Sequence, residues 1–262
     1  MKLYCFQFDI KWEDKSANFS RVRSLAAGAG IEAGSLLILP EMFATGFSMN
    51  SRQLAETETN SETLAFLREL ARDYQCHVLA GLVLNANERL TNNALLLTPE
   101  GAIAADYEKI NPFAPAGETL AVSAGQTIVQ ADVGVAILSP FICYDLRFPE
   151  LFRAAVPRSE VFAVIANWPE ARVEHFITLL RARAIENQAY LIGVNRIGAD
   201  PNVTYNGQTL VVDPWGKIVA TAEDREEVLA AQLDLAALRE WRASFSALRD
   251  RRDPASLTLK SH

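Results

Sequence analysis

Three residues of complementary chemistry stand where apolar runs end. They are a carboxylate, Glu41, after SLLILP; an ammonium, Lys109, closing AIAADYEK; and a thiol, Cys143, after VGVAILSPFI. A carboxylate moves protons, an ammonium steadies developing negative charge, and a sulfur nucleophile attacks carbonyl carbon. In open α/β sheets, active groups tend to lie at the carboxyl ends of strands. Each residue alone has a plainer reading: Glu41 as a helix cap or surface ion pair, Lys109 as a solvated edge residue, Cys143 as a small core side chain.

Other chemistries lack their signatures. No P-loop, HExxH, GxSxG or GxGxxG occurs, and Gly28-Ala29-Gly30 precedes a strand pattern instead of following one. The histidines, His77, His175 and His262, stand apart from any carboxylate cluster. Neither a metal nor a cofactor is expected.

The elements that position these residues alternate between strand and helix periodicity. Residues 2–9 alternate as a half-buried strand would, 16–30 read as a helix, and 36–39 as a short buried strand stopped by Pro40. A helix capped by Asn60 carries Leu64, Leu67 and Leu70 on one face. Residues 77–84, 93–98 and 102–107 read as strands, and 110–125 as a connection without clear period. Then come a strand-rich stretch at 133–143, a short helix at 149–155, a strand at 161–166 and a long helix at 170–188. Strands at 190–195, 209–212, 218–221 and 228–233 precede a terminal helix at 236–248. Hairpins mixed with βα units predict an α/β fold with mixed sheets, helices covering their outer faces. No internal repeat is visible, and residues 1–262 read as one domain.

Half the residues are apolar and the formal net charge is −7, without a long basic run. Nucleic acid is therefore not an expected partner. No apolar run is long enough for a membrane-spanning helix. Three widely separated cysteines, Cys5, Cys76 and Cys143, and an N-terminus interrupted by Asp9, point to the cytoplasm.

Taken together, LPEMFATGFSM, YEKINPFAPAGE, CYDLRFPE and ANWPEARVEHFITLLRARAIENQAYLIGVNRIG resemble the nitrilase superfamily of carbon–nitrogen hydrolases. The resemblance runs from the FQFDI opening through TYNGQTLVVDPWGKIVA, and its wording is most like the omega-amidase branch. It implies a four-layer αββα sandwich with two mixed β-sheets, and a homodimer. It places a Glu–Lys–Cys triad on Glu41, Lys109 and Cys143, and a second glutamate on Glu118. It also implies hydrolysis of the ω-amide of a small dicarboxylic acid monoamide, with release of ammonia. In that reading Lys109 favours the Cys143 thiolate, Glu41 shuttles the proton, and Lys109 with the Tyr144 N–H holds the oxyanion.

The run after the lysine departs from that branch, with Ile110, Asn111 and Ala114 where basic or larger residues are usual. Phe43 and Phe113 either line a pocket for a less polar amide or pack beneath the loop. Asn167 and Trp168 stand beside the expected site, or Trp168 packs across sheets. Arg147 and Arg172 either bind a carboxylate or pair with neighbouring acids; for Arg181 and Arg183, on the long helix, the ion pair is the expectation. Tyr205 and Asn206 read as turn residues. Two other readings compete: a carbamoyl hydrolase or nitrilase with the same triad, and a catalytically silent dimeric binding protein. A papain-like protease is disfavoured because no histidine stands in a base position.

Overall fold

The computed structural model describes residues 1–156, 158–252 and 258; Asp253 and His262 lie outside them. The first half supplies β1 (Lys2–Gln7), α1 (Lys15–Gly28), β2 (Leu36–Ile38), α2 (Ser51–Leu54), α3 (Glu62–Tyr74), β3 (His77–Ala86), β4 (Arg89–Leu97) and β5 (Ile103–Glu108). The second half supplies α4 (Glu118–Ala121), β6 (Ala131–Asp132), β7 (Ile137–Ile142), α5 (Pro149–Ala155), β8 (Val161–Ile165), α6 (Val173–Asn187) and β9 (Tyr190–Val194). It continues through β10 (Ile197–Ala199), β11 (Thr204–Asn206), β12 (Leu210–Val212), β13 (Ile218–Thr221), β14 (Glu227–Gln232) and α7 (Leu235–Ser244).

Two six-stranded sheets result, ordered β14-β1-β2-β3-β4-β5 and β13-β12-β9-β8-β7-β6, with β10 and β11 as a separate hairpin. Read from β5 and from β13, both sheets pair antiparallel, antiparallel, parallel, parallel, antiparallel. The chain thus repeats one topology that its sequence does not display. In this correspondence the loop after β2, carrying Glu41, matches the loop after β8, carrying Asn167.

The sheets face each other and the helices cover their outer faces, which makes the α/β sandwich. One core joins Leu3, Cys5 and Ile38 of the first sheet to Phe141 and Phe162 of the second, and to Phe176 and Leu180 of α6. The other places Tyr4, Phe6 and Leu37 against Phe19 of α1 and Leu67 of α3. β1 is therefore buried on both faces, not half-buried as its alternation suggests. A polar–apolar rhythm cannot register a second covering layer.

Local chemistry explains the other differences. Ser61, not Asn60, caps α3, its hydroxyl accepting from Leu64 N at 2.8 Å. Asn60 is engaged in a turn with Thr57. β4 starts at Arg89, before the expected strand, because Asn87 and Glu88 take left-handed φ angles of 53° and 66° and close a tight hairpin to β3. The hairpin β10–β11 was not anticipated; its strands are three residues each. Among the described residues no helix is long and apolar enough to cross a membrane.

Candidate active site

Glu41 follows β2 beyond Pro40 and is completely buried. Its backbone is clamped to β3: Gly81 N donates to Pro40 O at 3.2 Å and Phe43 N to Gly81 O at 3.2 Å. Lys109 follows β5, buried to 1 % exposure. It is fixed by Lys109 N to Asn92 O and by Gly125 N to Lys109 O, both 2.8 Å. A Cβ at Gly125 would stand 2.3 Å from Glu108 O, so only glycine lets the returning loop lie this close. Glu118 opens the short α4 and is also completely buried.

These groups meet. Lys109 Nζ donates to Glu41 Oε1 at 2.9 Å and to Glu118 Oε2 and Oε1 at 2.8 and 3.1 Å. Asn92 of β4 donates from Nδ2 to Glu41 Oε1 and Glu118 Oε1, both at 2.8 Å. Phe113 N also donates to Glu118 Oε2. Asn167 closes the far side: its N donates to Glu41 Oε2 at 2.9 Å and its Nδ2 to Glu41 O at 2.7 Å.

Cys143 follows β7 at the start of a 3-10 turn spanning Cys143–Arg147. Its φ of 45° is left-handed, a conformation that costs a side-chain-bearing residue about 1–3 kcal/mol unless surroundings enforce it. Asp145 supplies much of that enforcement. Its carboxylate accepts from Ile142 N at 3.2 Å, Tyr107 OH at 2.8 Å, and Asn111 N and Nδ2 at 2.8 and 3.0 Å. Burial pushes the Asp145 carboxyl up to about 6, although Lys109, Tyr107 and Asn111 all oppose the shift. Asn111, where the run after the lysine departs from the omega-amidase branch, is thus occupied in holding the turn.

Cys143 is partly exposed, and Sγ faces Asn167 O at 3.9 Å, a weak contact. Burial and the Glu41 carboxylate push the thiol well up, against the pull of Lys109. Lys109 pulls toward the thiolate, the direction the sequence suggested, but burial and Glu41 outweigh it. Its ammonium stands between Glu41 and Glu118, which draw on it in competition with the sulfur. Lys109 itself is held protonated, its pKa raised because Glu41 and Glu118 outweigh the desolvation that lowers it.

The thiol opens on a cavity of about 140 Å³ whose wall includes Phe113, Tyr144, Arg147, Asn167, Trp168 and Arg172. Phe113 lies edge-on to Tyr144 at 4.9 Å. Trp168 donates from Nε1 to Arg172 O at 2.7 Å. Phe43 does not join them. Its ring packs against the stacked pair of Phe19 and Phe66, at 6.1 and 6.0 Å, on the helix side of the first sheet. Residue 42 adopts φ 44°, and the chain bends there between Glu41 and Phe43.

Among the described residues neither Arg147 nor Arg172 forms an ion pair with a carboxylate. The Arg147 guanidinium lies 5.0 Å above Trp168 and 3.2 Å from His175 Nδ1, and that of Arg172 lies 5.5 Å above Phe113. Arg183 does pair with Glu186 at 3.0 Å, as expected, whereas Arg181 donates to Gly216 O at 2.9 Å. Tyr205, read as a turn residue, lines the cavity from the β10–β11 hairpin and donates to Asp200 Oδ2 at 2.5 Å. Arg196 stacks behind it at 4.5 Å and ties the hairpin to Asp9.

Asn92, Asp145 and Tyr205 were missed. The available signal was Asn92-Asn93 leading an otherwise apolar strand, and an acid two residues after the cysteine. Among the described residues no group of three or more His, Cys, Asp or Glu is arranged to hold a metal ion.

Comparison with known proteins places this arrangement. A family model described as carbon–nitrogen hydrolase matches residues 3–243. The chain is similar to 2-oxoglutaramate amidase of Paenarthrobacter nicotinovorans, 38 % identical over 89 % of this chain and 83 % of that protein. It is also similar to omega-amidase YafV of Escherichia coli K12, 36 % identical over 95 % and 96 %. Among solved structures it resembles XC1258 from Xanthomonas campestris, described as a CN-hydrolase superfamily protein with an arsenic adduct in the active site. That match has 32 % identity, 99 % coverage of both chains and a TM-score of 0.91.

Proposed function

The chain belongs to the carbon–nitrogen hydrolase family within the nitrilase superfamily, and from that premise we propose that it hydrolyses the ω-amide of a small dicarboxylic acid monoamide, of the 2-oxoglutaramate or succinamate type, through a thioester on Cys143. It is an amidase of that family. One observation carries the choice of substrate: Arg147 and Arg172, unpaired among the described residues, stand on the same cavity wall as Cys143. An amide carbonyl carbon directed at the thiol leaves the far carboxylate of such a substrate within the reach of a guanidinium fork, the donor best matched to it. The similar proteins named for 2-oxoglutaramate support the same substrate class.

In this mechanism Glu41 takes the thiol proton as Sγ bonds to the amide carbon. Because the thiol is held protonated at rest, transfer and attack proceed together. The developing oxyanion is held by Lys109 and the Tyr144 N–H, each such donor being worth about 3 kcal/mol. Collapse breaks the C–N bond, Glu41 returns the proton to nitrogen, and ammonia leaves. Glu41 then takes a proton from water as its oxygen attacks the thioester. The C–S bond breaks, the acid departs, and sulfur regains its proton. Glu118 holds Lys109 and, through the Phe113 N–H, the cavity loop. A homodimer working in the cytoplasm completes the proposal, and sedimentation equilibrium tests the assembly.

Ammonia release from 2-oxoglutaramate and succinamate, set beside uncharged amides, N-carbamoyl amino acids and nitriles, tests the reading. Preferential turnover of the two carboxylate amides is expected. Equal turnover of charged and uncharged amides removes the carboxylate argument, and full activity in Cys143→Ala removes the mechanism.

A further inference from the structure

We propose that Asn92 is a positioning residue that decides which oxygen of Glu41 receives the Cys143 proton. The inference rests on the reading of Glu41 as the proton carrier. A carboxylate oxygen offers two lone pairs. On Glu41, Oε1 already accepts from Asn92 Nδ2 at 2.8 Å and Lys109 Nζ at 2.9 Å. Oε2 accepts from Asn167 N at 2.9 Å, and Asn167 Nδ2 stands off at 3.5 Å. Oε1 is therefore full while Oε2 retains room for a proton. Oε2 also lies on the Asn167 side of the carboxylate, where the Cys143 thiol faces Asn167 O at 3.9 Å.

An asparagine suits this position for a specific reason. Its amide nitrogen carries two hydrogens that diverge from one neutral atom, one to each glutamate. A hydroxyl serves only one of them, and a third carboxylate adds repulsion. Reversing the amide would set Oδ1 against two carboxylate oxygens, which explains why Asn92 Oδ1 is left without a partner among the described residues. Asn92 thus ties both carboxylates together without changing the charge of the cluster. When Lys109 turns toward the oxyanion, Asn92 still holds Glu41 in register.

The experiment compares Asn92→Ser, which keeps one donor, with Asn92→Ala, which keeps none. It measures kcat and KM for amide hydrolysis across pH, and the pH dependence of Cys143 alkylation by iodoacetamide. In Asn92→Ala kcat is expected to fall about 10- to 100-fold, the range for losing a hydrogen bond to a charged group, with KM little changed. The acid limb of kcat/KM and of alkylation should move to higher pH, and Asn92→Ser should fall between it and the native protein. Native-like circular dichroism with an unmoved acid limb in both variants, or no loss of kcat, overturns the proposal. Should Asn92→Ala not fold, the same readouts on Asn92→Ser decide. Glu41→Gln is assayed in parallel: if it keeps full turnover, the reading of Glu41 has failed instead.

Discussion

Gly81 lies directly against the backbone of Glu41: a Cβ at position 81 would come within 2.6 Å of the Glu41 Cα and of the Met42 amide nitrogen. The obstacle is backbone, so no side-chain rotation relieves it. Gly81→Ala is expected to lower turnover on the order of 100-fold by shifting the carboxylate, and to destabilise the fold by about 1–3 kcal/mol. Steady-state kinetics and thermal melts check it; unchanged kcat with a lowered melting temperature would show that Glu41 tolerates the shift.

Lys109 and Cys143 should separate stability from activity. Lys109→Met leaves Glu41 and Glu118 buried without their cation, and removing one partner of such a pair typically costs about 3–5 kcal/mol. Cys143→Ala removes no charge from the resting site and relieves burial of a polar sulfur. Both variants should lose amide hydrolysis, but only Lys109→Met should show a large fall in denaturant midpoint. Equal midpoints would mean that the ammonium is not compensating the carboxylates.

Asp145 ties stability to pH. Its folded pKa of about 6 lies above the ordinary 3.8, so between these values the folded state binds the extra proton. Stability from this group is therefore greatest at low pH and declines as pH rises through about 6, by about 3 kcal/mol in all. Asp145→Asn should lack that decline. Urea unfolding of both proteins between acid and neutral pH tests the sign, and parallel pH profiles would contradict it.

Arg147→Ala and Arg172→Ala should raise KM for carboxylate-bearing amides about 10- to 100-fold, as expected for losing a charged hydrogen bond. Turnover of uncharged amides should be spared. Arg172→Ala also exposes Phe113, and Arg147→Ala exposes Trp168, so each variant is judged by the ratio of the two substrate classes. Loss of both classes in proportion would assign the arginines to packing.

Much of the fold was legible because it is written in local periods. The helix at Pro149–Ala155 and the strand at Ile218–Thr221 lie where turn residues and apolar spacing put them. The four-layer reading needed the resemblance as well, since alternation over residues 2–9 suggested one wet face. β10 and β11 escaped because three-residue strands carry too few periods to be recognised. The hairpin matters all the same, for it brings Tyr205 into the cavity wall.

Residue chemistry was written in the chain: a carboxylate, an ammonium and a thiol, each just past an apolar run, and a second glutamate in the connecting loop. Folding alone decided their company. It paired Glu41 with Asn92 and Asn167, spent Asn111 on Asp145, turned Phe43 into the helix-side core and left two arginines facing the thiol's cavity. It also set the balance at the sulfur, where burial and Glu41 outweigh the pull of Lys109, because proton affinity follows distances between groups remote in sequence and the water excluded around them.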